Sequence, residues 1–371
     1  MKVALFGGSF DPVHREHVRY IEAAKEALSL DKVILIPSNL APHKEGGAHA
    51  SGEDRLNMCR LAIKDLDYAE ASDFELKREG KSYTYLTAER FAEEYRGEKL
   101  FFLVGADMLE DFFTWKYPER ILSAVTLVAC GRGRGSASLT HEKFKERFFT
   151  DYIEVPFTGG ETSSTELRVR LAFGKETQEL MPEVRAYIDK RGLYRYPAIA
   201  PALALEKEER QRHSFRVALM AVERARSLGI CEEKAMLAAA LHDCGKYVPL
   251  DSPLLEGFEL PEGVPASVVH QYTGAYLAEH RFGIEDQEIL DTIRFHTSGR
   301  EDMTPLGKLI FLADMLESGR DYEGVDSMRK TFWRDLDECL KAALTRQIVY
   351  LKETGRPIYN KTQEALDYLI K

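Results

Sequence analysis

The sequence predicts an α/β amino-terminal half, built on a doubly wound parallel sheet, followed by an all-α carboxy-terminal half. Three observations predict it. The 371 residues exceed what one hydrophobic core usually organises, so two domains are expected. Up to residue 195, apolar runs of strand length alternate with longer helical patterns, which is the rhythm of βαβ units. Beyond residue 206 only helical periods remain.

A strand buried on both faces of a parallel sheet reads as a continuous apolar run, not as an alternation. VALFG at 3–7, KVILIP at 32–37, LFFLVG at 100–105 and AVTLVAC at 124–130 read that way. Helical patterns over 16–30 and 53–66 lie between them, and ligands are expected at the carboxyl ends of the strands. The segment YPAIAPALALE, 196–206, is rich in proline and alanine and has no period of its own. It reads as the linker between domains 1–195 and 207–371. From Lys207 the helical pattern is broken at Gly229, Pro249, Pro261, Gly283 and Pro305, and no segment reads as a strand.

Composition excludes several classes. Hydrophobic residues at 44% and charged residues at 30% fit packed domains and not disorder. No apolar run approaches the ~20 residues of a membrane span, and MKVALFGG reads as a first strand and not as a signal peptide. A cytoplasmic protein without membrane contact is expected. The net charge of −10 disfavours a nucleic-acid surface, which needs a basic face. Residues 1–195 carry 29 basic and 32 acidic groups and residues 196–371 carry 22 and 29, so neither half is basic. Five scattered cysteines without a CxxC pair read as reduced thiols. Oligomer formation is left open.

The first strand runs into GGSFDPVHREH, 7–17. Glycines after a buried strand let backbone N–H groups approach a ligand, and a following helix start favours phosphate. Gly7, Gly8, Ser9 and Phe10 are the expected cradle. His14 and His17, three apart, share one helical face and suit a triphosphate in its transition state. Neither GxxxxGK[ST] nor GxGxxG occurs, which excludes a P-loop and a standard dinucleotide fold. At the far end, Ser163 and Glu166 have capping-box spacing, so a helix should begin near Ser164. Ser164, Thr165 and Arg168 would then face an anion.

With GGSFDPVHREH stand PHK at 42–44, GKSYT at 80–84, GADMLEDFFTW at 105–115, SSTELR at 163–168 and the tail MPEVRAYIDKRGLY. Together and in this order they resemble nicotinate mononucleotide adenylyltransferases, of the nucleotidyltransferase α/β superfamily with its Rossmann-like fold. The resemblance implies transfer of AMP from ATP to nicotinate mononucleotide, giving deamido-NAD and pyrophosphate. It gives His14 and His17 to the phosphates and the reacting phosphorus, and Ser163, Ser164, Thr165 and Arg168 to the triphosphate. Lys44 would contact phosphate, Thr84 and Trp115 would line the pyridine pocket, and Asp107, in the turn after Gly105, would hold the ribose. Mg²⁺ would enter with ATP. Two departures stand out: Glu16 occupies the glycine of the family's usual (H/T)xGH, and Leu86 replaces the aspartate of its SYTxDT.

In the second half, helical spacing puts polar groups where they are costly. Asp314 lies four residues after Ile310 and eight after Leu306, on the apolar side of its helix, where a lone carboxylate needs a cation. His296 follows Ile293 by three, and His242 follows Ala238 by four. With His213, Asp243 and His270, these side chains read as a metal cluster. His280, ten residues after His270, turns away and reads as a surface histidine, and Cys244 reads as packing.

The pattern H…HD…H…H…D over residues 205–345 resembles HD-domain phosphohydrolases. HTSGR at 296–300 and FLADMLESGR at 311–320 resemble the branch that cleaves diadenosine tetraphosphate symmetrically to two ADP. That resemblance implies two ions, iron with manganese as the alternative. His213, His242, Asp243 and Asp314 would hold one and His270 and His296 the second, with Asp243 bridging. Lys246 and Arg300 would clamp phosphate. The chain therefore reads as a bifunctional enzyme. The alternative is a catalytically weak, nucleotide-sensing amino-terminal domain that regulates a phosphohydrolase acting on another nucleotide.

Overall fold

Val3, Ala4 and Leu5 of β1 (Lys2–Gly8) have no exposed surface, so both faces of this strand are covered. The same holds for Val33 to Ile36 of β2 (Lys32–Pro37). These strands occupy the centre of the sheet, where continuous apolar sequence is required. In the computed structural model, residues 1–39, 49–131, 137–157, 159–160 and 162–370 are described. They form two compact units: residues 1–168 with 176–194, and residues 169–175 with 195–371.

The first unit continues through α1 (Arg15–Leu28), α2 (Gly52–Ala62), β3 (Ala69–Ala71), α3 (Thr84–Glu94), β4 (Lys99–Val104), α4 (Ala106–Asp111), α5 (Pro118–Ala124), β5 (Thr126–Gly131), α6 (Ala137–Phe148), β6 (Ile153–Pro156), the first residues of α7 (Ser164–Ala172), whose last four belong to the second unit, and α8 (Pro182–Arg191). The described strands make one six-stranded sheet of order β3-β2-β1-β4-β5-β6, parallel throughout. The strand order reverses between β1 and β4, and the carboxyl end of that pair is the topological switch point. The turns after β1 and β4, carrying Gly7 to His17 and Gly105, open there. On one face of the sheet Leu5, Ile34, Phe102 and Leu127 pack against Ala88, Phe91, Ile121 and Phe144.

The second unit is helical among the described residues. It comprises α9 (Ile199–Leu203), α10 (Glu208–Ala225), α11 (Glu232–Leu241), α12 (Val269–His280), α13 (Gln287–Phe295), α14 (Pro305–Leu316), α15 (Val325–Arg334), α16 (Leu336–Glu353) and α17 (Asn360–Ile370). The segment 196–206, read as a linker, contains α9, whose Ile199, Ala202 and Leu203 are buried in this unit's core. Alanine and proline there serve close helix packing, which composition alone does not distinguish from a spacer. Pro305, read as a break, is instead the first residue of α14, behind the Thr304 cap that accepts the Gly307 N–H at 3.1 Å. α11 is apolar on nearly all sides, with Ala235, Met236, Ala238, Ala239, Ala240 and Leu241 buried. It is the central helix, and its end presents His242 and Asp243. No helix of the described residues is long and apolar enough to cross a membrane.

Candidate active sites

His14 is the N-cap of α1, in extended backbone. Its N–H donates to His17 Nδ1 at 3.2 Å, and the His17 N–H donates back to the His14 carbonyl at 3.0 Å. An Nδ1 used as acceptor puts the His17 proton on Nε2, so that ring offers a donor. The two rings lie 3.9 Å apart, and Phe10 stands edge-on to His17 at 5.2 Å. Burial pushes His14 down to about 4, against the opposing pull of Glu16 and Glu179. Burial and the neighbouring His14 hold His17 well below the usual imidazole range. Both are therefore neutral near pH 7, and His14 Nδ1 has no hydrogen-bond partner among the described residues.

Aromatic rings crowd both glycines. A Cβ on Gly7 would stand 3.1 Å from Phe102 Cζ, and one on Gly8 3.0 Å from Phe10 Cζ. Phe10 takes left-handed backbone at φ 49° and lays its ring on Gly8. These positions are small because aromatic rings cover them. The helix start forms as read: Ser163 Oγ accepts the Glu166 N–H at 3.1 Å and α7 starts at Ser164. Ser164 Oγ donates to the Pro12 carbonyl at 2.9 Å. Arg168, expected to face an anion, is 3% exposed; it donates to the Asp11 carbonyl at 2.7 Å and to Thr165 Oγ1 at 3.2 Å. Its position ties α7 to the turn after β1. Arg55 and Tyr194, which the motif reading missed, complete the tie: Arg55 donates to the Ser9 carbonyl at 2.8 Å and Tyr194 to Asp11 Oδ1 at 2.6 Å.

Glu16 turns to the loop before α7. Its Oε2 accepts the Gly160 N–H and its Oε1 pairs with Arg19 at 2.7 Å. Burial opposes ionisation, but these partners hold the carboxyl below its usual range. Thr84 begins α3 and Trp115 follows α4, each half-buried. Their stretches meet through Tyr85 and Tyr117, at 5.1 Å, and through Lys116, 4.3 Å above the Tyr83 ring. Gly105 caps α4. Lys44 and the side chain of Asp107 lie outside the described residues.

The second unit brings all six sequence-assigned ligands to one place. His213 comes from α10, His242 and Asp243 from the end of α11, His270 from α12, His296 from the end of α13 and Asp314 from α14. Three imidazoles are oriented in the same manner. His242 Nδ1 lies 2.7 Å from the Ala239 carbonyl, His296 Nδ1 2.8 Å from the Ile293 carbonyl, and His213 Nδ1 3.0 Å from Glu317 Oε1. In the neutral ring each Nδ1 therefore carries the proton and each Nε2 a lone pair. None of these buried Nε2 atoms has a hydrogen-bond partner among the described residues. They face carboxylates instead: His213 lies 2.9 Å from Asp314 Oδ1, His242 3.4 Å from Asp243 Oδ2 and His296 3.5 Å from Asp243 Oδ1.

Lone pairs facing carboxylates require a cation. The ligand atoms of His213, His242 and Asp314 lie within 4.8 Å of one another, as do those of His242, Asp243 and His296. His270 Nε2 reaches Asp243 Oδ1 at 3.4 Å and also meets Thr297 Oγ1 at 3.1 Å. Without an ion a proton answers the same carboxylates: burial would lower His242, yet Asp243 and Asp314 raise it to about 9. The donor set fits divalent metal of the nitrogen- and oxygen-liking kind.

Around the ligands, Lys246 Nζ lies 3.2 and 3.3 Å from the two Asp243 oxygens. Arg300 lies 3.9 Å from Asp291 and over the Phe295 ring. His280 is exposed and stacked on Tyr276, and Cys244 is buried with Sγ 3.6 Å from the Gly274 carbonyl, both as read. The residues that motif reading missed are supports. Glu317, three after Asp314, holds His213 and takes Arg216; its spacing was the available signal. Gly245 lets α12 approach the HD turn, since a Cβ there would lie 2.4 Å from Thr273 Oγ1 and 2.7 Å from the His270 carbonyl.

Comparison with known proteins finds a different family in each half of the chain. The family described as Cytidylyltransferase-like matches residues 5–170, and the HD domain matches residues 210–319. A Mycoplasma genitalium protein named probable nicotinate-nucleotide adenylyltransferase/Ap4A hydrolase is 28% identical over 87% of this chain and 89% of its own. A Clostridium tetani protein named probable nicotinate-nucleotide adenylyltransferase is 38% identical over 52% of this chain and 99% of its own. A solved HD superfamily hydrolase of Clostridium acetobutylicum, described as involved in NAD metabolism, is 33% identical over 47% of this chain and 95% of its own, with a TM-score of 0.43.

Proposed function

The chain belongs to the nicotinate-nucleotide adenylyltransferase family, with an HD domain in its second half, and from that premise we propose a bifunctional enzyme. The first unit joins the AMP of ATP to nicotinate mononucleotide. The second hydrolyses diadenosine tetraphosphate to two ADP.

In the transfer, a phosphate oxygen of nicotinate mononucleotide bonds to the α-phosphorus of ATP, and the bond to the bridging oxygen breaks as pyrophosphate leaves. His17 donates from Nε2 and His14 from its ring to the phosphate oxygens as charge shifts onto them. Because burial keeps both rings neutral, they act as fixed hydrogen-bond donors and need no covalent intermediate. The α7 start, with the backbone N–H of Ser164 and the Ser163 and Thr165 hydroxyls, receives the triphosphate, while the Ser164 hydroxyl and Arg168 hold the turn after β1 in place. Lys44, Asp107, Thr84 and Trp115 complete the phosphate, ribose and pyridine contacts, and Mg²⁺ accompanies ATP as part of the substrate.

One observation carries the second activity: the lone pairs of His213, His242 and His296 converge without partners on Asp243 and Asp314. His213, His242, Asp243, Asp314, His270 and His296 would hold two ions, iron with manganese as the alternative, and bound there such ions activate water and neutralise phosphate charge. The protein's own part is to fix the imidazoles through Ala239, Ile293 and Glu317 and to keep Lys246 beside the site. The Mycoplasma relative, whose name joins the same two activities, supports the pairing.

Chromatography of products from the full-length protein tests both halves. ATP with nicotinate mononucleotide should yield pyrophosphate and deamido-NAD. Diadenosine tetraphosphate with Fe²⁺ or Mn²⁺ should yield ADP alone. No pyrophosphate with ATP still bound would favour the sensor reading, and AMP with ATP as products would refute symmetrical cleavage.

A further inference from the structure

The geometry points to Arg210, acting with Lys246, as the phosphate-binding pair at the mouth of the second unit's site; this rests on the metal-hydrolase reading above. Arg210 lies one turn before His213 on α10, so the two side chains share a face of that helix. Its Nη1 lies 2.9 Å from Asp243 Oδ2. Lys246 reaches the same carboxylate from the other side of the sequence, 3.2 Å from Oδ1. Asp243 thus holds two full cations, one more than a single carboxylate neutralises.

The exposure of these groups gives the pair a direction. The Asp243 side chain is 1% exposed, Arg210 21% and Lys246 32%. The cations therefore stand between the carboxylate and solvent, where a ligand must pass. A counter-ion retained only for stability would be expected to sit at the depth of the group it neutralises. With Asp243 engaged as a ligand, its charge is satisfied from within, and both cations are free to turn to an incoming anion. Arg210 brings a planar fork that matches two phosphate oxygens, and Lys246 a point charge. The pair takes the place expected of Lys246 with Arg300, whose guanidinium instead stacks on Phe295. The ligand class is the phosphate or diphosphate group of a nucleotide.

Bound Mn²⁺ broadens the ³¹P line of inorganic phosphate that sits beside it, and this reads the site without turnover. Full-length protein would be loaded with Mn²⁺, freed of excess ion and titrated with phosphate. Arg210→Gln should keep the wild-type Mn²⁺ content and melting temperature. It should need at least about tenfold more phosphate for half-broadening, the loss expected for a charge-assisted hydrogen bond. Arg210→Lys should recover part of that loss, and Lys246→Gln should shift the titration in the same direction. Half-broadening unchanged in Arg210→Gln overturns the inference, and so does loss of Mn²⁺, which would make Arg210 a structural counter-ion. Wild-type protein that holds no Mn²⁺ would refute the metal reading itself.

Discussion

Replacing Glu317 by glutamine separates the orientation of a ligand from its presence. Oε1 lies 3.0 Å from His213 Nδ1, while Oε2 takes the Arg216 guanidinium and the Gly319 N–H at 2.5 Å. Burial would raise this carboxyl, but His213, Arg216 and the Gly319 amide outweigh it and bring it down to about 2. Glu317 is therefore ionised across the working range. Glutamine has the same volume but offers one acceptor oxygen, so either His213 or Arg216 loses its partner. A carboxylate behind a metal-binding imidazole is typically worth about 10- to 100-fold in metal affinity, roughly 1.4–2.7 kcal/mol. Glu317→Ala removes both acceptors and should also cost about 3 kcal/mol of stability, the low end for a broken buried pair because Arg216 stays partly solvated. Competition against a chelator on the full-length protein reads the first effect and calorimetry the second. Metal affinity unchanged in both variants would mean that His213 is no ligand, and the assignment of the site would fall with it.

Other perturbations address separate steps. Gly245→Ala places a methyl 2.4 Å from Thr273 Oγ1 and 2.5 Å from the Gly274 N–H, so it should lower stability by about 1–3 kcal/mol by overpacking and weaken metal binding through the displaced His270 helix. An unaltered melting curve would show that α12 has room to yield. Glu16→Gly should cost about 1–2 kcal/mol, from one amide hydrogen bond and a glycine in the first helical turn. Because Glu16 is already paired with Gly160 and Arg19, the KM for ATP should change less than about threefold, a limit set by a paired and partly solvated charge; a tenfold fall would reveal repulsion of ATP by this carboxylate. The His14 pKa falls from an ordinary 6.5 to about 4, so the unfolded chain binds the extra proton between those values. Its contribution is fully present above pH 6.5 and is lost as pH drops toward 4, on the order of 3 kcal/mol. His14→Gln should flatten that limb of the stability profile, and an unchanged slope would place the burial elsewhere.

What sequence reveals here depends on whether a residue is anomalous in its local setting. β1, β2, β4 and β5 are legible because both of their faces are buried and the apolar run is unbroken. β3 is three residues with exposed Glu70 at its centre, and β6 alternates Ile153, Glu154 and Val155; these outer strands lack the run and went unread. The metal cluster is legible because imidazoles and carboxylates on apolar helix faces need a reason to be there. Arg210 and Arg216 carry no such mark, since a charge at a helix edge looks like a solvated face until its partner is known. Arg168 shows a different limit of local reading. A guanidinium near a helix start suits an anion by local chemistry, but the Asp11 carbonyl that it binds lies 157 residues away, and no local pattern reports that distance.

The two sites place different demands on burial, and Asp243 shows where the demand is greater. In the first unit, burial strips charge from His14 and His17, and neutral rings can wait for a triphosphate without an internal counter-ion. In the second, burial acts on a carboxylate that the surrounding groups hold well below its usual range despite desolvation, so the charge persists and must be answered. Asp243 is answered from α10 by Arg210 and from its own turn by Lys246, while His242, His270 and His296 bring Nε2 atoms to 3.4, 3.4 and 3.5 Å from its oxygens. One side chain thus links the helices that supply most of the ligands. Removing it would leave two cations with no carboxylate and three imidazoles with no shared focus, and breaking such a buried network costs more than the mutual attraction it contributes. The same feature makes the site receptive: every group around Asp243 is already oriented toward the point where positive charge is required.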